Sequence, residues 1–279
     1  MKEKSLMQEL IGEVFGTFIL ILLGDGVVAN VGLAPRLAAG AYNWNTITIG
    51  WAMAVLVAVY VSAGVSGAHL NPAVTIALAV KRGFSWGKVG PYIIAQVIGC
   101  FLGALGVYLA YGDGLRAAGM PNVWATGPGS VFGQTFWGMD AAVKGAPYSL
   151  IGAVITEILG TAVLLWGVLA SGDKRNTGLM HNMGPFLVAL TVLAVGLSLG
   201  GPSGYAINPA RDFGPRLFGL LVGTQGLFGA DFYWLIAPII GPIIGGVLGI
   251  FAYDLFVTSS FGPEPTTAEV GRTANEPKK

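Results

Sequence analysis

Charged side chains are scarce in this chain, and their scarcity excludes the commonest class of protein. Only 10% of the 279 residues are charged, whereas soluble globular domains carry about 25%. Hydrophobic residues make up 54%, and the mean hydropathy is +0.70. Such a chain cannot cover a water-facing surface with polar groups, so it is predicted to be a membrane protein with several spans. The net charge of +1 also argues against a nucleic-acid partner.

Cysteine and histidine are nearly absent. Cys100 is the single cysteine and cannot form a disulfide within the chain, and His69 and His181 are the only histidines. No group of histidine, cysteine and carboxylate residues has the spacing of a metal site. There is no Gly-x-x-x-x-Gly-Lys motif for a nucleotide, and Ser66 and Ser203 have no neighbouring base that would make a nucleophile. We therefore expect no metal, no cofactor and no enzymatic activity.

The apolar residues are arranged in stretches of two lengths. A helix needs roughly 20 apolar residues to cross the hydrocarbon core. Six stretches are long enough, at about 8–32, 44–64, 88–112, 147–171, 182–201 and 231–257. Two shorter pieces, at about 72–80 and 209–222, reach only half-way across. Half-helices in two equivalent places point to a translocation site.

The chain contains an internal repeat. A run of small residues ending in Asn-Pro-Ala occurs at 66–73 and again at 203–210, and the pattern Glu-x-x-Gly-Thr occurs at 13–17 and 157–161. Each half then has three spans and one half-helix. Because three is odd, the second half must insert upside down relative to the first. We predict a single transmembrane domain over 1–257, with repeats at about 7–112 and 147–257, followed by a polar tail at 258–279.

The basic residues predict an orientation. If the N-terminus is inside, the inner segments carry ten lysines and arginines and the outer segments carry five. Inner loops of membrane proteins are enriched in these residues. We therefore expect a protein of the cell membrane with both termini in the cytoplasm. Arg211 and Arg216, two of the five outer residues, are expected within the pore region.

The two Asn-Pro-Ala motifs have the chemistry of helix starts. Asparagine is a good N-cap, and proline suits the first turn because it lacks an N–H that would otherwise be unpaired. We expect a central constriction where two such helices meet and direct partial positive charge at one point. It would repel cations and donate hydrogen bonds to a neutral solute. Its residues are Asn71, Pro72, Ala73, Asn208, Pro209 and Ala210.

These residues resemble the major intrinsic protein family, the aquaporins and glycerol facilitators, over about residues 7–257. Segments 66–75 and 208–216 look like the two signatures of the glycerol-facilitator branch. Asp212 and Arg216 stand where water-selective members usually have small residues, and Pro238-Ile239 replaces an aromatic pair of the water channels. The resemblance implies an all-α membrane fold of the aquaporin type, with six transmembrane helices, two re-entrant half-helices and an inverted repeat.

The resemblance also implies a selectivity filter made of Trp51, Gly196, Tyr205 and Arg211. Trp51 and Tyr205 would form an apolar corner for a carbon backbone, and Arg211 would supply N–H donors while remaining charged. Gly196 would leave space where a water-only filter has a bulky polar residue. Glycerol facilitators usually have phenylalanine in place of Tyr205.

Further residues are expected to shape the pore rather than to react. The resemblance implies pore-lining carbonyls in two groups, at Gly67, Ala68 and His69 and at Gly204, Tyr205 and Ala206. Glu13, Glu157 and Asp212 are expected to give structural support, the two glutamates by accepting hydrogen bonds from the backbone that leads into each half-helix. Asp25, between two glycines, has no assigned role.

The sequence thus predicts a passive channel for glycerol and other small uncharged solutes, including water, that excludes ions and protons. Urea, dihydroxyacetone and hydrogen peroxide are further candidate solutes. The resemblance implies a homotetramer in the lipid bilayer. Three alternatives stay open: a water-selective channel, against which Gly196 argues, a proton-coupled carrier that uses Glu13 and Glu157, and a non-conducting structural protein of the same fold.

Overall fold

The computed structural model describes residues 4–33, 43–127, 149–173, 175, 182–229 and 232–261, and over these residues the regular elements are helices, with no β-strand. Five of these helices are long and apolar enough to cross a membrane, namely α1 (Leu6–Gly32), α2 (Trp44–Ser66), α4 (Trp86–Ala117), α5 (Leu150–Gly172) and α8 (Tyr233–Ser260), and α6 (Gly184–Leu199) is a shorter apolar helix. Two short helices, α3 (Pro72–Lys81) and α7 (Pro209–Leu221), lie at the positions predicted for the half-helices.

The predicted all-α membrane fold is confirmed, and the helix bounds lie within three residues of the prediction except at the end of α4. The third long helix, α4, continues to Ala117, five residues beyond the predicted end. The fifth predicted span corresponds to α6, which has only 16 residues. Most of the predicted outer loop after residue 112 and most of the tail, at 128–148 and 262–279, lie outside the described residues, as does His181.

The helices begin where the sequence supplies caps. Ser5 accepts a hydrogen bond from the backbone N–H of Gln8 while the Gln8 side chain accepts one from the Ser5 backbone, which is a capping box. Asn43 caps α2 in the same way, and the Ser149 hydroxyl caps α5. These side chains satisfy N–H groups that the first helical turn leaves unpaired.

The packing follows the repeat. In the first half α1 packs against α2 and α4, and in the second half α5 packs against α6 and α8. The short helices cross over, so that α3 packs on α8 and α7 packs on α4. Because each half-helix is clamped by the opposite half, neither repeat is complete without the other.

Glycines allow the closest of these contacts. A Cβ atom at Gly99 would lie 2.3 Å from the Val14 carbonyl oxygen, and one at Gly245 would lie 2.3 Å from the Ile158 carbonyl oxygen. These positions are equivalent, one joining α4 to α1 and the other joining α8 to α5. Small residues let membrane helices approach each other closely where lipid gives no hydrophobic drive for association.

The last span is irregular at one point. Residues Ile236–Ile240 of α8 form a π-helical turn that contains Pro238. Proline has no N–H to donate and crowds the preceding turn, so a wider turn accommodates it. The outer surface of the bundle is apolar: Leu109 is 77% exposed and Ile151 is 72% exposed, as expected of side chains that face lipid.

Candidate functional site

The two half-helices meet through their asparagines. The Asn71 side-chain amide donates to the Ile207 carbonyl oxygen at 2.8 Å, and the Asn208 amide donates to the Leu70 carbonyl oxygen at 2.7 Å. Each amide carries two hydrogens, so one hydrogen of each remains for another acceptor. The reciprocal pair holds the two helix starts face to face.

Each asparagine also caps its own helix. Asn71 Oδ1 accepts from the Ala73 N–H at 2.9 Å, and Asn208 Oδ1 accepts from the Ala210 N–H at 3.1 Å. The side chains are fixed at both ends, so their orientation depends on the backbone rather than on a free rotamer. With an N-terminus on each side, the junction carries partial positive charge.

Glu13 holds the segment before the first half-helix. Its Oε1 accepts from the His69 N–H at 3.0 Å and the Ser66 hydroxyl at 2.6 Å, and its Oε2 accepts from the Leu70 N–H and the Gln96 amide, both at 2.7 Å. One buried carboxylate therefore accepts all four hydrogen bonds.

Glu157 does the same for the second half-helix. It accepts from the Ala206 N–H at 2.7 Å and from the Ile207 N–H at 2.6 Å, and it is fully buried. Leu70 (φ 51°) and Ile207 (φ 44°) are left-handed, a conformation that side chains with a Cβ rarely adopt. The hydrogen bonds that the backbone N–H groups donate to both carboxylates stabilise this strained backbone at equivalent places.

A cavity of about 270 Å³ passes the asparagine junction. Its lining includes apolar side chains such as Val55, Val59, Leu164, Val188 and Val192. It also includes the segments before the half-helices together with the two asparagines. The lining residues of these segments are Gly67, Ala68, His69, Leu70, Asn71, Tyr205, Ala206, Ile207 and Asn208.

Trp51, Tyr205 and Arg211 come together in the lining of this cavity. The Arg211 guanidinium carbon lies 3.9 Å from the centroid of the Trp51 ring, which is a cation–π contact, and its Nη1 is 3.5 Å from the Trp124 carbonyl oxygen. The Arg211 backbone N–H donates to Asn208 Oδ1 at 3.2 Å. The arginine of the predicted filter is therefore tied to the central junction.

The fourth predicted filter residue lies behind the others. Gly196 is not among the lining residues, because the Tyr205 ring occupies the space beside it. A Cβ atom at Gly196 would lie 2.8 Å from Tyr205 Cζ and 2.9 Å from Thr48 Cγ2. Trp44 closes the other side, with its indole nitrogen donating to the Gly196 carbonyl oxygen at 3.0 Å. Gly196 thus makes room for the tyrosine ring rather than leaving open space.

Several predicted pore residues are near the cavity without lining it. Gly204 is not among the lining residues, and Pro72, Ala73, Pro209 and Ala210 are buried in the first turns of α3 and α7. The motif therefore presents its asparagines to the cavity, while its prolines and alanines start the helices.

The prediction that Arg216 lies in the pore region is wrong. Arg216 is buried away from the cavity, and its Nε donates to Asp212 Oδ1 at 2.8 Å. It also donates to the carbonyl oxygens of Leu227 and Thr126. Asp212 Oδ2 accepts from the Thr126 N–H at 2.8 Å. Asp212 and Arg216 thus join α7 to the segment that follows α4.

Sequence reasoning missed that segment and the far end of the cavity. Asn122 stabilises a turn by accepting from the N–H groups of Trp124 and Ala125, which places the Trp124 carbonyl next to Arg211. At the far end Ser171 and Asn182 line the cavity. The only signal in the sequence was Asn122 itself, and asparagine is common in turns.

His69 is held firmly at the cavity wall. Its Nδ1 lies 3.1 Å from the Thr75 hydroxyl, and its ring packs on Phe84 and Tyr92 with centroids 4.5 and 5.1 Å away. Within the described part of the chain, no three histidine, cysteine or acidic residues are grouped so that they could hold a metal ion.

Comparison with known proteins gives one consistent result. Residues 1–253 match the family described as major intrinsic protein. A probable glycerol uptake facilitator protein of Thermotoga maritima is 44% identical over 252 residues, which are 89% of this chain and 99% of that protein. The glycerol uptake facilitator protein of Streptococcus pneumoniae R6 is 40% identical over 255 residues, with 90% and 100% covered. Among solved structures, the aquaglyceroporin from Plasmodium falciparum superposes with a TM-score of 0.79 at 32% identity, covering 91% of this chain and 98% of that one.

Proposed function

The chain belongs to the major intrinsic protein family, and from this membership we propose that it conducts glycerol and other small uncharged solutes, including water, passively across a membrane. Members of this family are channels rather than enzymes. The relatives named as glycerol uptake facilitators match this chain over nearly their whole length, which supports the same solute class here.

The observation that carries the proposal is the mixed lining of the cavity. Glycerol has a carbon backbone with hydroxyls along one side. The valine and leucine side chains of the lining suit the backbone, and the half-helix segments and asparagines suit the hydroxyls. A narrow passage that replaces water contacts on the polar side and excludes ions electrostatically is a selective pore for neutral solutes.

Ion and proton exclusion is proposed to reside at two levels. At the junction, the N-termini of α3 and α7 and the free amide hydrogens of Asn71 and Asn208 disfavour a cation. At the filter, Arg211 adds a permanent charge beside Trp51 and Tyr205. We assign to Gly196 the role of positioning the Tyr205 ring, and to the segments at 67–69 and 204–206 the supply of carbonyl acceptors.

The contacts of the two glutamates weigh against a proton-coupled carrier. Glu13 and Glu157 are occupied by backbone N–H donors, and neither is among the lining residues of the cavity. We therefore propose that both act as structural supports. Urea, dihydroxyacetone and hydrogen peroxide are proposed as further solutes, since all are small, uncharged and polar.

The charge imbalance between its segments supports a setting in the cell membrane with both termini in the cytoplasm. Each chain encloses its own cavity, so the proposed homotetramer contains four separate pores. If this assembly is correct, crosslinking in native membranes should give products of two, three and four chains and none larger.

Uptake of labelled glycerol into proteoliposomes tests the proposed function. Val188→Trp fills the cavity wall, whereas Leu109→Trp adds the same bulk on a side chain that is 77% exposed on the outer surface. We expect fast uptake in the wild type and in Leu109→Trp and loss of uptake in Val188→Trp. The glycerol should equilibrate without accumulating under a pH gradient. Uptake that survives Val188→Trp, or accumulation against a gradient, would contradict the proposal.

A further inference from the structure

Asp25 is a buried acid without an assigned role. It lies in α1 with a fully buried side chain, and neither carboxylate oxygen has a hydrogen-bond partner among the described residues. Burying a charged group without compensation costs far more than burying a hydroxyl, so buried charges are found paired or bound to metals. A carboxylate in a membrane span is a candidate functional group for the same reason.

The cation beside Asp25 is the arginine of the filter. Asp25 Oδ1 lies 3.8 Å from Arg211 Nη1, which is longer than a hydrogen bond but within the range of a charge pair. Both side chains are almost fully buried, with 0% and 8% exposed, so solvent screens the attraction little. Among the described residues the other buried arginine is Arg216, which already pairs with Asp212 at 2.7 Å. Arg216 thus has its own carboxylate partner, whereas Asp25 lies within charge-pair distance of Arg211.

The arrangement of α1 brings Asp25 behind the filter rather than into it. Gly24 packs directly on the Trp51 ring, since a Cβ atom there would lie 2.3 Å from Trp51 Cζ3. Arg211 stacks on the same ring, with 3.9 Å from guanidinium carbon to centroid. Asp25 is not among the lining residues, whereas Trp51 and Arg211 are. A solute in the cavity thus contacts the guanidinium but not the carboxylate.

We infer that Asp25 is a positioning residue of the filter, the counter-ion on α1 that holds the Arg211 guanidinium back against Trp51 and offsets its charge. The inference rests on the proposed function of the cavity. Without this carboxylate the guanidinium loses its partner on the buried side and moves toward the lumen. There it narrows the passage for glycerol more than for the smaller water molecule.

A double-mutant cycle on glycerol permeability tests this role, with water permeability measured on the same vesicles. We expect Asp25→Asn, which keeps the shape, to lower the ratio of glycerol to water permeability by roughly threefold or more, a coupling typical of residues in contact. In an Arg211→Val background the same change should leave the ratio unaltered. If Asp25→Asn lowers the ratio equally in the wild type and in the Arg211→Val background, Asp25 acts on helix packing alone and the inference is wrong. An unchanged ratio in the single variant Asp25→Asn would also overturn the inference.

A matched control separates charge from position. Asp113→Asn makes the same chemical change at the end of α4, on a side chain that is completely exposed. It should behave as the wild type in both assays. A fall in the permeability ratio for Asp113→Asn as large as that for Asp25→Asn would assign the effect to net charge and contradict the inference.

Infrared difference spectra give a readout that needs no transport. The wild type minus Asp25→Asn should show an ionised carboxylate. In the Arg211→Val background the same difference should show a protonated acid, because an unpaired buried carboxylate neutralises instead of staying charged. A protonated Asp25 in the wild type would overturn its pairing with Arg211, and this result does not depend on whether the protein conducts glycerol. If the wild type conducts no glycerol but its spectrum shows an ionised Asp25, the proposed function is refuted and the pairing of Asp25 with Arg211 is not.

Discussion

Gly196→Ala is the smallest change that should close the filter to glycerol. The added methyl carbon would lie 2.8 Å from Tyr205 Cζ and 2.9 Å from Thr48 Cγ2. Carbon atoms in favourable contact are about 3.5–4.0 Å apart, so the ring must shift by roughly 0.7 Å or more. The Tyr205 ring cannot move toward Trp44, because the Trp44 ring already contacts it edge-on at a centroid distance of 5.6 Å. The free direction for the tyrosine is the lumen.

The size of the effect follows from the cost of overpacking. Inserting one methyl group into a well-packed site costs about 1–3 kcal/mol. A passing glycerol molecule must push the Tyr205 ring back against the new methyl group and so regenerate the overpacking strain. This added barrier slows glycerol passage by roughly 5-fold to 150-fold. Water needs less width and should be slowed less.

Stopped-flow light scattering on proteoliposomes measures both rates in one preparation. Gly26→Ala is the matched control, because a Cβ atom there meets nothing within 4 Å. We expect wild-type rates in Gly26→Ala and a selective loss of glycerol entry in Gly196→Ala. Unchanged glycerol entry in Gly196→Ala would refute the placement of Tyr205 as a movable wall of the filter.

Three further predictions concern stability as well as flux. The Tyr205 hydroxyl is buried without a partner among the described residues, so Tyr205→Phe should keep or raise the melting temperature in detergent, and a clear fall would show an unseen partner. Glu157→Gln replaces an acceptor oxygen that faces a backbone N–H, so unfolding in denaturant should show a loss of about 1–3 kcal/mol together with slower glycerol entry. In the loop after α5, the Arg175 guanidinium holds the pKa of Asp173 below its usual value. This pair stabilises the fold above the ordinary aspartate pKa and loses its effect as the pH falls through the lowered one. The melting temperature of Arg175→Gln should therefore be below that of the wild type at neutral pH and converge with it in acid, and a constant difference would contradict the pairing.

The spans and half-helices were predictable because each depends on local signals. The length of an apolar stretch fixes whether it crosses the membrane, and the Asn-Pro pairs fix where α3 and α7 begin. The end of α4 was placed too early because the prediction followed the apolar stretch, which ends at about residue 112. In the structure this segment continues as helix to Ala117, which no local pattern indicates.

The site was harder to predict because it depends on contacts between distant residues. The reciprocal bonds of Asn71 and Asn208 join positions about 137 residues apart, and the repeat alone pointed to them. Nothing in the sequence indicates that Tyr205 would fill the space beside Gly196. The pairing of Asp212 with Arg216 was easier to foresee, because the two residues are four positions apart in a helix. Asp25 was conspicuous as an acid in an apolar span, but its partner lies in the other repeat.

The central claim is that a neutral polyol passes through the cavity between the two asparagines and the apolar side chains of its lining. The most direct test exposes one preparation of proteoliposomes first to an inward glycerol gradient and then to an impermeant sucrose gradient. We predict shrinkage followed by fast re-swelling with glycerol, and shrinkage alone with sucrose. Fast shrinkage in both cases without re-swelling in glycerol would mean a pore for water only and would contradict the account.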